Sequence, residues 1–248
     1  RLGILKGRLN FPVVIKPAVK DNRDSFARAF PAKMLVVENW EQFYQVAEQL
    51  PDLFHDRELL LQELARGLNV SWFGYVCGGQ AEGYCITAVV KSPVGSFGGT
   101  TTLARLERVD ARLSAAVDEL VKVLNLDGIF EIEFILQDGG LHFFYEINPR
   151  PILQVALVLQ QRSNIFVEYL RNKGFTVKCD NRSPKSSPRL WGSASRYLRL
   201  NAGRHISPTI LLRTAAHDVW YSRFFDPREK ISYTLSLVKL LLQSVIDS

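Results

Sequence analysis

The chain has 248 residues, 47% of them apolar and 23% charged, enough to bury a sizeable core in one large domain or two small ones. No apolar run reaches the length of a membrane-spanning helix, and no signal-peptide pattern is visible. The net charge of +6 is uneven: residues 171–204 hold nine basic residues against Asp180 alone, a net +8, which suits an anionic partner or substrate, while the lack of a recognition motif argues against nucleic acid.

The first apolar run, FPVVIKP at 11–17, reads as a short buried strand bounded by prolines. Residues 18–32 are polar and read as a loop. KMLVVEN is a second strand. Glu38 or Asn39 opens a helix, WEQFYQVAEQL, with apolar residues at helical spacing and Pro51 as its stop. ELLLQELA is a third strand, so strand, strand, helix, strand forms one small α+β unit.

A second unit follows. NVSWFGYVCGGQAEGYCITAVVK reads as two strands joined at Gly78-Gly79, and residues 91–102 as a Gly-rich loop. ARLSAAVDELVKVLNL is an amphipathic helix. The run from Ile152 to Tyr169 reads as largely helical, SPKSSPRL at 183–190 as an exposed linker, and Thr209–Ala216 and Ile231–Ile246 as packed helices. Cys77, Cys85 and Cys179 form neither a CxxC pair nor, with four scattered His, a zinc pattern. The expectation is buried free thiols in a reducing, cytoplasmic compartment.

Between that amphipathic helix and the Ile152 run lies FEIEFILQDGGLHFFYEINPR, residues 130–150, with three glutamates and an asparagine inside two apolar runs. Asp138 to Leu141 reads as a two-residue hairpin loop, with Gly139 and Gly140 supplying the positive φ of a type I′ turn. That turn sets Glu133 opposite Glu146 and Glu131 opposite Asn148. Strand alternation puts these four on one face and Ile132, Phe134, Leu136, Phe143, Tyr145 and Ile147 on the other. Facing unit charges about 4 Å apart cost on the order of 4 kcal/mol at an effective dielectric of about 20. A solvated face, a raised pKa on one acid, or a bound divalent cation would each tolerate them. A one-residue bulge near the turn would shift this register.

No GxxxxGK[ST] loop, no GxGxxG after a strand and no GxSxG elbow occurs. The order of the remaining features carries more. FPVVIKP, LLLQELARG, GIFEIEF and YEINPR resemble, in sequence order over residues 5–170, the motifs of the ATP-grasp superfamily, in particular its carboxylate–amine ligase and carbamoyl-phosphate-synthase-like members. The resemblance implies an α+β ATP-grasp fold: two α+β lobes clasping ATP, a small lobe at 1–65, a large lobe at 66–171 and a mixed C-terminal extension at 172–248.

Carried over residue by residue, the resemblance implies that Lys16 holds ATP phosphates, with Lys33 as a second phosphate contact. Gln62, Glu63, Leu64 and Ala65 line the adenine pocket. Asn69 stands near a ribose contact that is acidic in many relatives. Glu133, Glu146 and Asn148 hold Mg²⁺, or Mn²⁺ in its place. Arg150, with Lys16, stabilises the transferring phosphoryl group. Lys91 lies toward the substrate end. The implied reaction activates a carboxylate as an acyl phosphate for attack by an amine. Activation of bicarbonate and a non-catalytic ATP-binding module are the alternatives. Residues 18–30 lack the glycines many members carry after the strand lysine. The usual N-terminal acceptor domain is not seen, so a separate acceptor domain is an expected partner, and a homodimer is an open assembly.

Overall fold

The computed structural model describes residues 9–18, 34–49, 58–92, 99–137, 140, 142–159, 161, 164–177, 190–201 and 206–221. The chain divides into two compact units, Arg1–Arg66 with Ser96–Gly98, and Gly67–Gly95 with Gly99–Ser248. Among the described residues no helix is long and apolar enough to cross a membrane.

In the first unit, β1 (Val13–Pro17) lies between β2 (Leu35–Val37) and β3 (Leu59–Glu63), antiparallel to both. Helix α1 (Trp40–Gln49) starts at Asn39, whose Oδ1 accepts from the Gln42 backbone N–H at 2.9 Å. Alternation along β1 sends Val13 and Ile15 into a core with Val37 and Phe43, edged by Trp40, Leu59 and Leu61. The same alternation turns Val14 and Lys16 to the opposite face. Their partners Gln62 and Leu60 turn with them.

The second unit is built on a six-stranded antiparallel sheet. Its strands are β4 (Leu68–Cys77), β5 (Gln80–Ser92), β6 (Thr100–Glu107), β7 (Gly128–Leu136), β8 (His142–Asn148) and β9 (Leu190–Gly192), in the order β8-β7-β4-β5-β6-β9. Gly78 and Gly79 both take positive φ, 60° and 77°, as the tight β4–β5 turn requires. Helix α2 (Ala111–Leu124) is capped by Asp110, which accepts from the Leu113 N–H at 2.7 Å. It presses Leu113, Val117 and Val121 onto Val70, Trp72, Phe130, Ile132 and Phe134. Each such buried aliphatic is worth about 2 kcal/mol. The other face of the sheet packs Phe73, Tyr75, Ile86 and Ala104 against α3 (Val155–Leu159), α4 (Ile165–Asn172) and Trp191. Helices α5 (Ala194–Leu200) and α6 (Pro208–Tyr221) follow β9.

Three expectations change. The stretch 91–102 is not all loop, because Lys91 and Ser92 end β5 and Thr100–Thr102 begin β6. The run from Ile152 to Tyr169 is two short helices: Asn164 accepts from the Phe166 N–H at 3.1 Å and starts α4 afresh. Cys85 is a buried free thiol, but Cys77 is only half-buried. Leu190 opens β9, whereas 183–189 of the expected linker, Cys179 and the Ile231–Ile246 run lie outside the described residues.

Candidate functional site

The site is assembled on β7 and its two neighbours. On β8, Asn148 pairs with Glu131 and Glu146 with Glu133. On β4, Phe73 pairs with Glu131, Ser71 with Glu133 and Asn69 with Ile135. Paired residues share a face, so Asn69, Ser71, Glu131, Glu133, Glu146 and Asn148 lie together, continuous with the Phe73 side of the sheet.

The acid register agrees with expectation, but two departures cancel to produce it. Near the turn Leu136 pairs with His142, one residue out of step with a two-residue loop. A bulge between Glu133 and Phe134 then leaves Tyr145 as the extra residue of β8 and restores the register at Glu133. The expected apolar face is corrected accordingly. Phe144, where the expected register put Tyr145, stands opposite Phe134, with ring centroids 6.3 Å apart, and Phe143 pairs with Ile135. Tyr145 belongs with the carboxylates, since its hydroxyl donates to Glu133 Oε2 and lies 3.3 Å from Asn69 Oδ1.

Asn148, 8% exposed, donates from Nδ2 to Glu131 Oε2 at 3.1 Å and to Glu133 Oε1 at 3.0 Å. Arg150 Nη2 lies 3.4 Å from Asn148 Oδ1. Glu131, 9% exposed, is pushed up to about 7 by burial first and then by the neighbouring Glu133 charge. Ser71, Arg150 and Asn148 oppose that rise without cancelling it. The Tyr145 hydroxyl is likewise raised well above the ordinary tyrosine range by burial and by Glu133. Burial, and behind it the Glu133 charge, thus register on Glu131, which stands beside the facing Glu133–Glu146 pair.

That chemistry fits a hard divalent cation. Glu133, Glu146 and the Asn148 amide oxygen offer only oxygen donors, as Mg²⁺ prefers. Two are carboxylates and one is an amide. Among the described residues no three His, Cys, Asp or Glu side chains converge as a metal cluster. The Asn148 NH₂ group occupies the position facing the acids. Ligation through Oδ1 requires that amide to turn over.

The remaining expected residues lie apart from this cluster in sequence and are placed as follows. Lys16 is half-buried in β1, opposite Leu60. The Ala18 N–H donates to Glu58 O at 3.0 Å and the Leu64 N–H to Pro12 O at 2.8 Å. These two bonds set the phase of the β1–β3 ladder. Gln62 and Leu64 direct their backbone groups toward β1, and Glu63 and Ala65 direct theirs outward from the edge strand. The Glu63 side chain accepts from Asn10 Nδ2 at 2.7 Å and from the Asn10 N–H at 3.2 Å. In the second unit Lys91 Nζ lies 3.1 Å from Asn69 Oδ1, which brings those two residues together. Lys33 lies outside the described residues.

Ser71 and Tyr145 are the site residues that reading the sequence missed. Ser71 left a signal, a hydroxyl inside the apolar run of a central strand. Tyr145 left none, because strict alternation assigns it to the wrong face.

Compared by sequence, the chain matches no protein-family model and no curated protein. Its structure is similar to N5-carboxyaminoimidazole ribonucleotide synthetase PurK in its ADP complex, with TM-score 0.51 and 16% identity over 69% of this chain and 43% of that one. The same enzyme from Thermus thermophilus gives 0.51 and 17% over 71% and 46%. The biotin carboxylase domain of Hydrogenobacter thermophilus 2-oxoglutarate carboxylase, in complex with MgADP, ADP and bicarbonate, gives 0.52 and 13% over 73% and 40%. The chain therefore has the ATP-grasp fold. It spans less than half the length of these structures.

Proposed function

We propose that the chain is an ATP-dependent, ADP-forming carboxylate–amine ligase. The observation that carries this reading is the set Glu133, Glu146 and Asn148 on one face of adjoining strands, with Arg150 two residues beyond. The ATP-grasp fold supports it, since the structures it resembles include nucleotide complexes.

In this reading a substrate carboxylate oxygen attacks the γ-phosphorus of ATP. The bond to the β–γ bridging oxygen breaks, ADP leaves, and an acyl phosphate results. An amine then attacks the acyl carbon, phosphate departs with the bonding pair, and the amine proton is lost. Lys16 and Arg150 supply fixed positive charge for phosphate oxygens. The outward backbone groups of Glu63 and Ala65 read the adenine, beside Gln62 and Leu64. Asn69 contacts the ribose, and Lys91 stands toward the acceptor. Mg²⁺ held by Glu133, Glu146 and Asn148 would offset charge on the transferring group.

The test has two stages. Calorimetric titration should show ATP binding that depends on Mg²⁺. ADP release should then require both a carboxylic acid and an amine from a panel of amino acids and peptides, and hydroxylamine should trap the acyl group as a hydroxamate. Tight Mg-ATP binding without turnover on any panel member would replace the ligase with a binding module. The panel includes bicarbonate because the Hydrogenobacter domain holds that anion. ADP release with bicarbonate alone would replace the organic acid.

A further inference from the structure

We infer that Tyr145 is a positioning residue that locks the Glu133 carboxylate into its metal-binding orientation, an inference that rests on the ligase reading's Mg²⁺ site.

The argument begins with the backbone. An unbroken ladder would send Tyr145 to the α2 side with Ile147, whose side chain packs against that core. The bulge at Tyr145 breaks the alternation at this single residue and delivers the phenol to the acidic face. The bulge thus does two things. It keeps Glu146 facing Glu133, and it inserts a donor beside the same glutamate.

The donor pattern on Glu133 is then complete at both oxygens. Asn148 Nδ2 donates to Oε1 at 3.0 Å, and the Tyr145 hydroxyl donates to Oε2. Each carboxylate oxygen has two lone-pair directions, so one on each remains for a ligand. Ligation by Asn148 Oδ1 turns its amide over and gives up the Oε1 bond, which leaves the Tyr145 hydroxyl as the donor that fixes the last torsion of the Glu133 carboxylate and aims its remaining lone pairs. The Tyr145 hydroxyl has one proton, which goes to Glu133, while Asn69 Oδ1, 3.3 Å away, accepts from Lys91 Nζ at 3.1 Å. The Tyr145–Glu133 bond thus ties β8 to β7, and the Lys91–Asn69 bond ties β5 to β4. Partners of this kind, one bond removed from the ion, typically change metal affinity by tenfold or more when deleted.

Tyr145→Phe removes one oxygen and keeps the ring. ATP binding is titrated against free Mg²⁺ for wild type and variant, with a parallel titration in EDTA and a melting curve. The expected result is a roughly tenfold higher Mg²⁺ half-saturation in the variant, with metal-free ATP binding and melting temperature unchanged. Phe143→Leu, two residues away on the same strand, should match wild type. An unchanged or lowered Mg²⁺ half-saturation in Tyr145→Phe overturns the inference, as does an equal shift in Phe143→Leu. Should Tyr145→Phe melt several degrees lower, Tyr145→Met is titrated in its place against the same criterion. Wild-type protein that binds ATP without regard to Mg²⁺ overturns the Mg²⁺ site itself, and this inference with it.

Discussion

Asn148 Nδ2 lies 3.1 Å from Glu131 Oε2, and the two residues are direct partners across β7 and β8. The contact gives a buried acid a neutral donor rather than a cation. Neutral donation does not offset the cost of burying the charged form, so the carboxyl stands at about 7 instead of its usual 4.5.

The pH consequence follows by linkage. Between about 4.5 and 7 the folded state binds this proton and the unfolded state has released it. Stability from this group is therefore greatest at low pH and falls as pH rises through that window, levelling off above about 7. Glu131→Gln, which cannot titrate, should stabilise the metal-free protein by about 2 kcal/mol more at pH 8 than at pH 5. Urea unfolding in EDTA at both pH values measures this. An equal effect at both would mean that Glu131 stays ionised throughout.

Glu146 and Glu131 share a face but have different expected tasks. Glu146 stands opposite Glu133, whereas Glu131 is engaged by Asn148 beside that pair. Glu146→Gln should therefore raise the Mg-ATP dissociation constant about tenfold or more, and Glu131→Gln by about threefold or less. Calorimetry at matched free Mg²⁺ decides between them. Equal losses would place Glu131 among the ligands.

The acidic register was legible because Glu131 and Glu133, and Glu146 and Asn148, recur at period two inside apolar runs, and the bulge at Tyr145 falls outside both pairs. The connection was not legible. The glycines at 139 and 140 suggested a two-residue loop, whose residues 138, 139 and 141 lie outside the described residues, and only the bulge at Tyr145 reconciles the Leu136–His142 pairing with that register. A bulge is a backbone event with no obligatory residue type, so it left no mark in the sequence, and the faces of Phe143, Phe144 and Tyr145 were lost with it. The strands around Val13, Leu35, Leu59 and Val70 were visible as β-branched and aliphatic runs with clear stops. The first residues of β6 were not, because Gly98 to Thr102 has turn chemistry and the pairing that makes Thr100–Glu107 a strand is long-range.

Cys85 offers a check on the second core. Burial, and then the Glu107 charge, push its thiol up to about 11. At pH 8 only about one molecule in a thousand carries the reactive thiolate. Iodoacetamide at pH 8 followed by peptide mass mapping should leave Cys85 unlabelled in native protein and label it fully in urea. Rapid native labelling of Cys85 would show that the core beside Val70 and Trp72 opens readily.

Two glycines of the β4–β5 hairpin should respond in opposite ways to substitution. A Cβ on Gly74 would stand 2.1 Å from Glu82 O and 2.7 Å from the Trp72 ring. Across the ladder, a Cβ on its partner Gly83 would meet the same indole at 2.7 Å. The Trp72 ring therefore rests on two bare backbones, and the nearest obstacle at Gly74 is a carbonyl that cannot move without breaking the β4–β5 pairing. Gly74→Ala should cost about 3 kcal/mol or more. Gly78, in the turn, has φ 60°, and a Cβ added there would have nothing within 4 Å. Asn tolerates that backbone region and favours the first position of such turns. Gly78→Asn should therefore stay within about 0.5 kcal/mol of wild type. Denaturant unfolding of the two variants side by side tests both statements. A mild Gly74→Ala would mean that β5 can shift at Glu82 without disturbing the Trp72 packing.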